Sequence, residues 1–497
     1  MELTLNPNSI QDYRTFLKIK SLPTWRIRGR TAYFPDEYAS RIVDSAQPIE
    51  ELAYRPSEFL FDYQRDITAL ALRKRKFAIF AECGLGKTLI FLEYARTVLP
   101  NLAGKLGLMV SPAMVVDQTI EECRKFYGDD IPIVRVAAKD LQDWLNHGDG
   151  LGITNYEALK HSITPGRLGM LIIDESSMLK SHYGKWGTKI IELGRGLEWK
   201  LAGTGTPAPN DRIEYANHAI LLDAFPTVNS FLAKFFVNRG QTGERWELKQ
   251  HALGAFYRAL SHWCIFLTDP EVYGWKDNVQ TSMPPIHVHI HDVDLTREQE
   301  VLAYKNQGVL FAKDLGGISS RASYGQIAKG HYKGKRLQSL KPTAIRQLVE
   351  SWPTESTIIW CLYDAEQDIM EETFPAALSM RGSTPMDNRR EMIGKFQRGE
   401  ARILISKPKV LGFGLNLQIA TRQVFSGLQD SYEAFHQCVK RSNRVGSTRP
   451  LNVHIPVTDI ERPMIETVLT KCRRVEHDAA EQERIFRQSR CDSASDV

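Results

Sequence analysis

The strongest constraint on this chain is a recurrence of short apolar runs, bounded by glycine, proline or polar clusters, with helical patterns between them. The runs at 77–80, 106–110, 171–173, 358–362, 403–405 and 453–455 are too short for helices and lack polar alternation, as strands buried on both faces require. Helical patterns such as 88–99 and 389–397 lie between them, so the repeating unit is strand, loop, helix, the unit of parallel sheets. At 497 residues the chain exceeds one ordinary core, and two α/β blocks emerge, 51–210 and 341–475. The stretch 211–340 between them is rich in aromatics and helix formers, with Met283-Pro284-Pro285 as a hinge mark; it reads as helical insertion and linker. Residues 1–50, punctuated by Pro23, Gly29 and Pro35 and without a strong helix period, read as a small β-rich accessory module. Residues 476–497 read as a C-terminal tail with a frayed polar end.

Composition removes several classes. With 42% hydrophobic and 25% charged residues the chain folds around real cores and is neither fibrous nor disordered. Its 64 basic against 59 acidic residues leave +5, too mild to announce a nucleic-acid partner, so local basic stretches must carry that argument. The 7 cysteines are scattered and form no Cys-x-x-Cys pair, which opposes a disulfide framework or cysteine-rich zinc site. With no export signal and no run of about 18 apolar residues, the expected location is the cytoplasm, away from membranes.

The octapeptide Ala81-Glu82-Cys83-Gly84-Leu85-Gly86-Lys87-Thr88 lies between an apolar run and a helical pattern, the order of a phosphate-binding loop. Gly84 and Gly86 let the backbone turn tightly and aim N–H groups at phosphate oxygens. Lys87 would neutralise the β and γ phosphates of ATP, and Thr88 would place a hydroxyl on Mg²⁺. Ala81 departs from the general pattern, which has glycine there, and a glycine turn before a core helix is the plainer alternative. Downstream, the run at 171–173 delivers Asp174 and Glu175 at a strand end, where ligands bind in such sheets. Asp174 suits Mg²⁺, and Glu175 would orient and deprotonate the attacking water. Alone this pair could be a helix N-cap; coupled to the upstream loop it reads as catalytic.

With these two motifs in place, the sequence resembles the superfamily-two helicases, and within them the Swi/Snf-type DNA translocases. Glu82-Cys-Gly-Leu-Gly-Lys-Thr88 is similar to that group's P-loop, and Phe61-Asp-Tyr63-Gln64 to its adenine-reading segment, which implies that Gln64 contacts adenine. Val110-Ser-Pro112-Ala113, Thr154-Asn-Tyr-Glu157 and Gly203-Thr-Gly-Thr206-Pro207-Ala-Pro-Asn210 resemble its DNA-contacting and coupling motifs. Gly382-Ser-Thr384 with Arg389 and Phe396, Ser406 with Gly412-Phe-Gly-Leu-Asn416-Leu417, and Gln437-Cys-Val-Lys-Arg441-Ser-Asn-Arg444-Val-Gly446-Ser447 resemble the motifs of its second block.

The resemblance implies two RecA-like lobes and a catalytic set of Lys87, Glu175, Gln437, Arg441 and Arg444. The two arginines, three apart on one helix side, would face the γ-phosphate. It further implies backbone-type DNA contacts at Pro112, Thr154, Thr206 and Asn416, with little sequence preference. Ser177, Asn443 and Ser447 stand where the family usually has histidine, histidine and glutamine. Residues 22–38 resemble the substrate-recognition module preceding the motor in some annealing and branch-migration helicases, and the compact chain resembles phage-encoded members.

The expectation is therefore a monomeric ATP- and Mg²⁺-dependent motor on duplex or branched DNA, working with replication or recombination proteins. An RNA helicase, a restriction or defence motor subunit and a nucleotide-gated clamp are the alternatives. Three polar features have competing readings. The segment from Lys329 to Lys341 could ride on a DNA backbone or be a solvated linker. Arg73-Lys74-Arg75-Lys76 reads as a solvated face, and His287, His289 and His291 line one strand face at a spacing that permits a metal.

Overall fold

The computed structural model describes the chain except residues 44–51, 162, 181–183, 241–244, 278–282, 307–317, 412–416, 428–430, 445–446 and 495–497. It forms two compact units. The first comprises 1–112, 116–278 and the residues from 477 onward; the second comprises 279–476 with 113–115.

The first unit is built on a seven-stranded parallel sheet. From one edge its order is Cys264–Leu267, Lys76–Ala81, Trp199–Gly203, Leu168–Asp174, Leu106–Ser111, Leu151–Asn155 and Ile133–Arg135. Phe77, Ile79, Leu108, Val110 and Ile172 are fully buried, as strands covered by helices on both faces demand. Register then fixes the functional edge: Ile79 and Asp174 both pair with Gly203, so the phosphate-loop residues, Asp174 and Thr204 leave the sheet at one end.

The second unit carries a six-stranded parallel sheet, ordered Ile286–Asp292, Leu451–Val457, Arg422–Phe425, Thr357–Trp360, Ile403–Ser406 and Leu378–Met380. Side-chain alternation splits its core: Ile358, Trp360 and Phe425 pack on one side, and Ile359, Ile405 and Val424 on the other. Both sheets with their connecting helices match the expected pair of RecA-like lobes.

Several local expectations change. Within 211–340, read as helices and linker, Cys264–Leu267 is an edge strand of the first sheet and Ile286–Asp292 an edge strand of the second. The first follows the helix Leu253–Trp263 with no glycine or proline to mark it, and the second carries histidines rather than apolar residues at alternate positions. The N-terminal module has the expected antiparallel strands, Glu2–Thr4, Thr31–Tyr33 and Arg26–Arg28, but also a helix, Ile10–Ser21. Ser9 caps it by accepting the Asp12 N–H at 3.2 Å. Its periodicity was obscured because Ile10, Tyr13 and Leu17 face outward while Ile19 is buried. The C-terminal tail is helical through Ala494, and Asp478 accepts from Arg212 Nη2 at 2.5 Å and from the Tyr257 hydroxyl at 3.0 Å.

The basic segment before the second α/β block is internal at its two ends and exposed in its middle. Lys329 and Lys341 are buried and flank the Glu461 carboxylate at 2.9 and 2.5 Å, and Lys341 also donates to the Ser426 carbonyl. Glu461 is held down to about 2 by the two ammonium groups, against the upward push of burial. Lys333 and Lys335 remain exposed around the hairpin turn. Among the described residues no three metal-ligating side chains converge. His289 meets Asn452 at 3.0 Å and His291 meets His454 at 2.9 Å, pairings that replace the metal reading. The described cysteines are free thiols, and no described helix is long and apolar enough to cross a membrane.

Candidate active site

Gly84 and Gly86 adopt φ of +90° and +67°, the left-handed region that glycine enters without penalty, and Gly86 caps the helix Lys87–Val98. A Cβ on Gly86 would lie 2.3 Å from Gln64 Nε2, so any side chain there has to displace the Gln64 amide. Gln64 is buried; its Oε1 accepts from the Phe61 N–H at 3.0 Å and its Nε2 faces the Leu85 carbonyl at 3.4 Å. The proposed adenine-reading segment and the phosphate loop are thus physically joined. Lys87 folds back over the loop, donating to the Ala81 and Glu82 carbonyls at 2.6 and 3.2 Å. Thr88 follows in the first helical turn, half-buried.

Asp174 ends its strand beside the loop, where it accepts from the Ser111 hydroxyl at 3.0 Å. Burial, followed by the Glu175 charge, pushes its carboxyl up to about 6, with the Ser111 hydrogen bond and Lys87 opposing. Glu175 has φ of +55°, a costly conformation for a side-chain-bearing residue. The Tyr156 hydroxyl braces this turn by donating to the Asp174 and Glu175 carbonyls at 2.6 and 3.1 Å. The Glu175 carboxylate accepts from Thr204 at 2.6 Å and from Ser177 at 2.9 Å, which fixes the direction in which it can take a proton. Beneath, buried His218 lies 2.9 Å from the Ser176 hydroxyl and is pushed down to about 4 by burial, so it stays neutral.

The four DNA-contact assignments fare differently. Pro112, Thr154 and Thr206 are buried: Thr154 donates to the Val136 carbonyl at 2.8 Å, and the Thr206 N–H donates to Thr204. Asn416, with most of its motif, lies outside the described residues. The residues of those segments that reach the site are Ser111, Tyr156 and Thr204, recognisable in sequence only as hydroxyl-bearing neighbours of the assigned positions.

In the second unit, Gln437 and Arg441 share the helix Tyr432–Ser442, and Arg441 is buried with its Nη1 on the Leu411 carbonyl at 3.1 Å. Arg444 does not continue that helix, because Asn443 leaves it in extended conformation; the expectation of two arginines on one helical face is corrected. The departures from the family pattern shape this turn. Asn443 Nδ2 donates to the Pro284 carbonyl at 2.8 Å, and Ser447 Oγ accepts from the Arg444 N–H at 3.2 Å while donating to the Ser442 carbonyl at 2.9 Å.

A phosphate loop, an acidic strand end and two parallel-sheet lobes define a P-loop NTPase of the RecA-like kind. The SNF2-related domain signature matches residues 68–343, more than half of the chain, and the helicase conserved C-terminal domain matches 340–446. The chain belongs to the SNF2-related family of superfamily-two helicases. The chain is similar to the DNA annealing helicase and endonuclease ZRANB3 of Mus musculus, 22% identical over 426 residues, covering 80% of this chain and 38% of the relative. The Bos taurus ZRANB3 protein is 21% identical over 441 residues, covering 82% and 40%. The chain therefore spans about two fifths of the length of the curated relatives it matches. Among solved structures, the Sulfolobus solfataricus SWI2/SNF2 ATPase core in complex with dsDNA matches with a TM-score of 0.39 and 20% identity, over 88% of this chain and 97% of that one.

Proposed function

We propose that this chain is a DNA-dependent ATPase that couples hydrolysis to movement along duplex or branched DNA and remodels branched intermediates, acting as a monomer alongside replication or recombination proteins. The observation that carries this reading is the arrangement of Glu175, locked by Thr204 and Ser177 beside Asp174 and the Lys87 loop. The donor set suits ATP with Mg²⁺. Gly84 and Gly86 present backbone to phosphates, and Thr88 and Asp174 offer the hard oxygens that Mg²⁺ prefers. Bound Mg²⁺ would supply charge neutralisation at the phosphates.

In this scheme Gln64 reads the base and Lys87 exchanges its two carbonyl partners for phosphate oxygens. Glu175 orients the attacking water and takes its proton, a positioning task rather than a covalent one. Gln437, Arg441 and Arg444 complete the catalytic set, an arginine finger being worth about 10³–10⁵ in rate. The similarity to relatives named as DNA annealing helicases favours DNA and branched structures over RNA, with the N-terminal module as the substrate-recognition element.

The test is the steady-state ATPase rate with single strands, blunt duplex, forks, four-way junctions and RNA, with Glu175→Gln as the blank. Strongest stimulation by branched DNA is the expected result. Equal stimulation by any duplex reduces the reading to a plain translocase, and stimulation by RNA alone overturns it.

A further inference from the structure

The first unit holds a cavity of about 450 Å³ that the ATPase reading does not use. It lies where the strand Lys76–Ala81 begins, at the opposite end of that strand from the phosphate loop. Glu37 from the N-terminal module, the consecutive Arg73, Lys74, Arg75 and Lys76, and Trp263 are among its walls. This volume is in the range of small-molecule sites.

The basic run that sequence reads as a solvated face is turned to this cavity. Lys74 meets Glu37 at 2.7 Å, Arg75 pairs with Glu198, and Lys76 meets Asp223 at 2.8 Å. Asp223 is also claimed by the buried Lys200 at 2.8 Å. The cavity walls thus carry four basic side chains against three carboxylates, with the buried Lys200 a further basic group behind Asp223. His262, whose Nδ1 lies 2.7 Å from Glu37 and 2.8 Å from the Tyr38 hydroxyl, is pushed toward its neutral form by burial. Arg73 is exposed and has no hydrogen bond or ion pair among the described residues. Trp263 is 2% exposed, and its indole N–H has no acceptor. A buried donor without an acceptor is costly, and in a cavity wall it is met by a ligand oxygen or by water.

We propose that this cavity is a second anion site that binds the dianionic phosphate of a phosphate monoester, separate from the ATP site. A dianion suits walls with more basic than acidic side chains, and several acceptor oxygens match an unpaired guanidinium together with an unpaired indole N–H. Because Pro35 and Glu37 close one wall, binding there also strengthens the seat of the N-terminal module on the first lobe.

The test uses the full chain carrying Lys87→Ala, which weakens phosphate binding at the loop. Inorganic phosphate and AMP are titrated at constant ionic strength and followed by ³¹P NMR. Saturable binding of both is expected, AMP no tighter than phosphate if only the phosphate group is read. Adding Arg73→Glu should weaken binding by at least about tenfold, as loss of a charge-assisted contact does. Trp263→Phe should weaken it by a smaller factor with the ring packing kept. Arg73 is exposed, so its variant keeps the fold, checked by an unchanged melting profile. Absence of saturable binding, or equal binding with Arg73→Glu, overturns the proposal. Neither result bears on DNA-stimulated ATP turnover.

Discussion

Asp174→Asn offers the sharpest test of the site's electrostatics, because it predicts a gain and a loss in the same protein. A rise of the Asp174 carboxyl from the ordinary 3.8 to about 6 means that its ionised form costs at most about 3 kcal/mol relative to the unfolded chain. The sign follows from proton counting. Between 3.8 and about 6 the folded state binds more protons than the unfolded state, so wild-type stability falls as pH rises through that window and the full cost applies above it. Asparagine keeps an oxygen for the Ser111 hydroxyl but carries no charge. In metal-free urea denaturation at pH 8, the transition of the first unit should therefore be up to about 3 kcal/mol more stable in the variant, the difference shrinking to about zero near pH 4. ATP turnover should be abolished at every pH. In the wild type Mg²⁺ affinity should weaken as pH drops below about 6, because the cation then competes with a proton for Asp174. A pH-independent difference, or a variant less stable at pH 8, would refute this reasoning and mean that Lys87 and Ser111 outweigh burial.

Other positions give independent checks. Gly86→Ala sets a Cβ against Gln64 in a left-handed conformation, so the site strains by about 1–2 kcal/mol and nucleotide affinity drops in a fluorescent-ATP titration. Thr204→Val removes the closest donor to Glu175; kcat should fall about 10- to 100-fold with little change in ATP affinity, read by single-turnover kinetics and equilibrium binding. Glu461→Ala leaves Lys329 and Lys341 buried without their shared carboxylate, which should cost the second unit about 3–5 kcal/mol in urea denaturation.

Much of the fold was legible because parallel sheets write themselves plainly. Runs such as 77–80 and 403–405 are apolar on both faces, as strands covered by helices on both sides must be. What stayed hidden lacked that contrast. The helix Ile10–Ser21 turns Ile10 and Tyr13 outward, the edge strand Ile286–Asp292 alternates histidine with apolar residues exposed on the other face, and Lys329 and Lys341 look like solvent residues until Glu461 supplies their counter-charge from more than a hundred residues away. Local sequence carries no record of such distant pairing. The place of the phosphate loop was legible because its glycines and Lys87 stand at fixed spacing between an apolar strand and a helix. The hydroxyl groups that support the acidic pair were less so, because nothing local marks which side chain of a strand-end segment turns toward it. Ser111 reaches Asp174 while its neighbour Pro112 is buried, and Tyr156 braces the acidic turn while Thr154 bonds to Val136.

The same contrast explains how the chain tolerates its departures from the family pattern. Ser177 stands where histidine is usual, and its short hydroxyl can serve only Glu175, two residues back, at 2.9 Å. Ser447 likewise spends its hydrogen bonds on the backbone of the turn that carries Arg444, while Asn443 ties that turn to the Pro284 carbonyl. In the two serine cases a residue able to reach across a site is replaced by one that fixes its own neighbourhood. Such a substitution leaves phosphate chemistry intact while cutting a route by which ATP state could be relayed to a DNA strand. Ser177→His and Asn443→His should therefore change ATP turnover without DNA little and the degree of DNA stimulation more. Equal effects on both rates, measured with and without duplex, would place these residues in the chemistry itself.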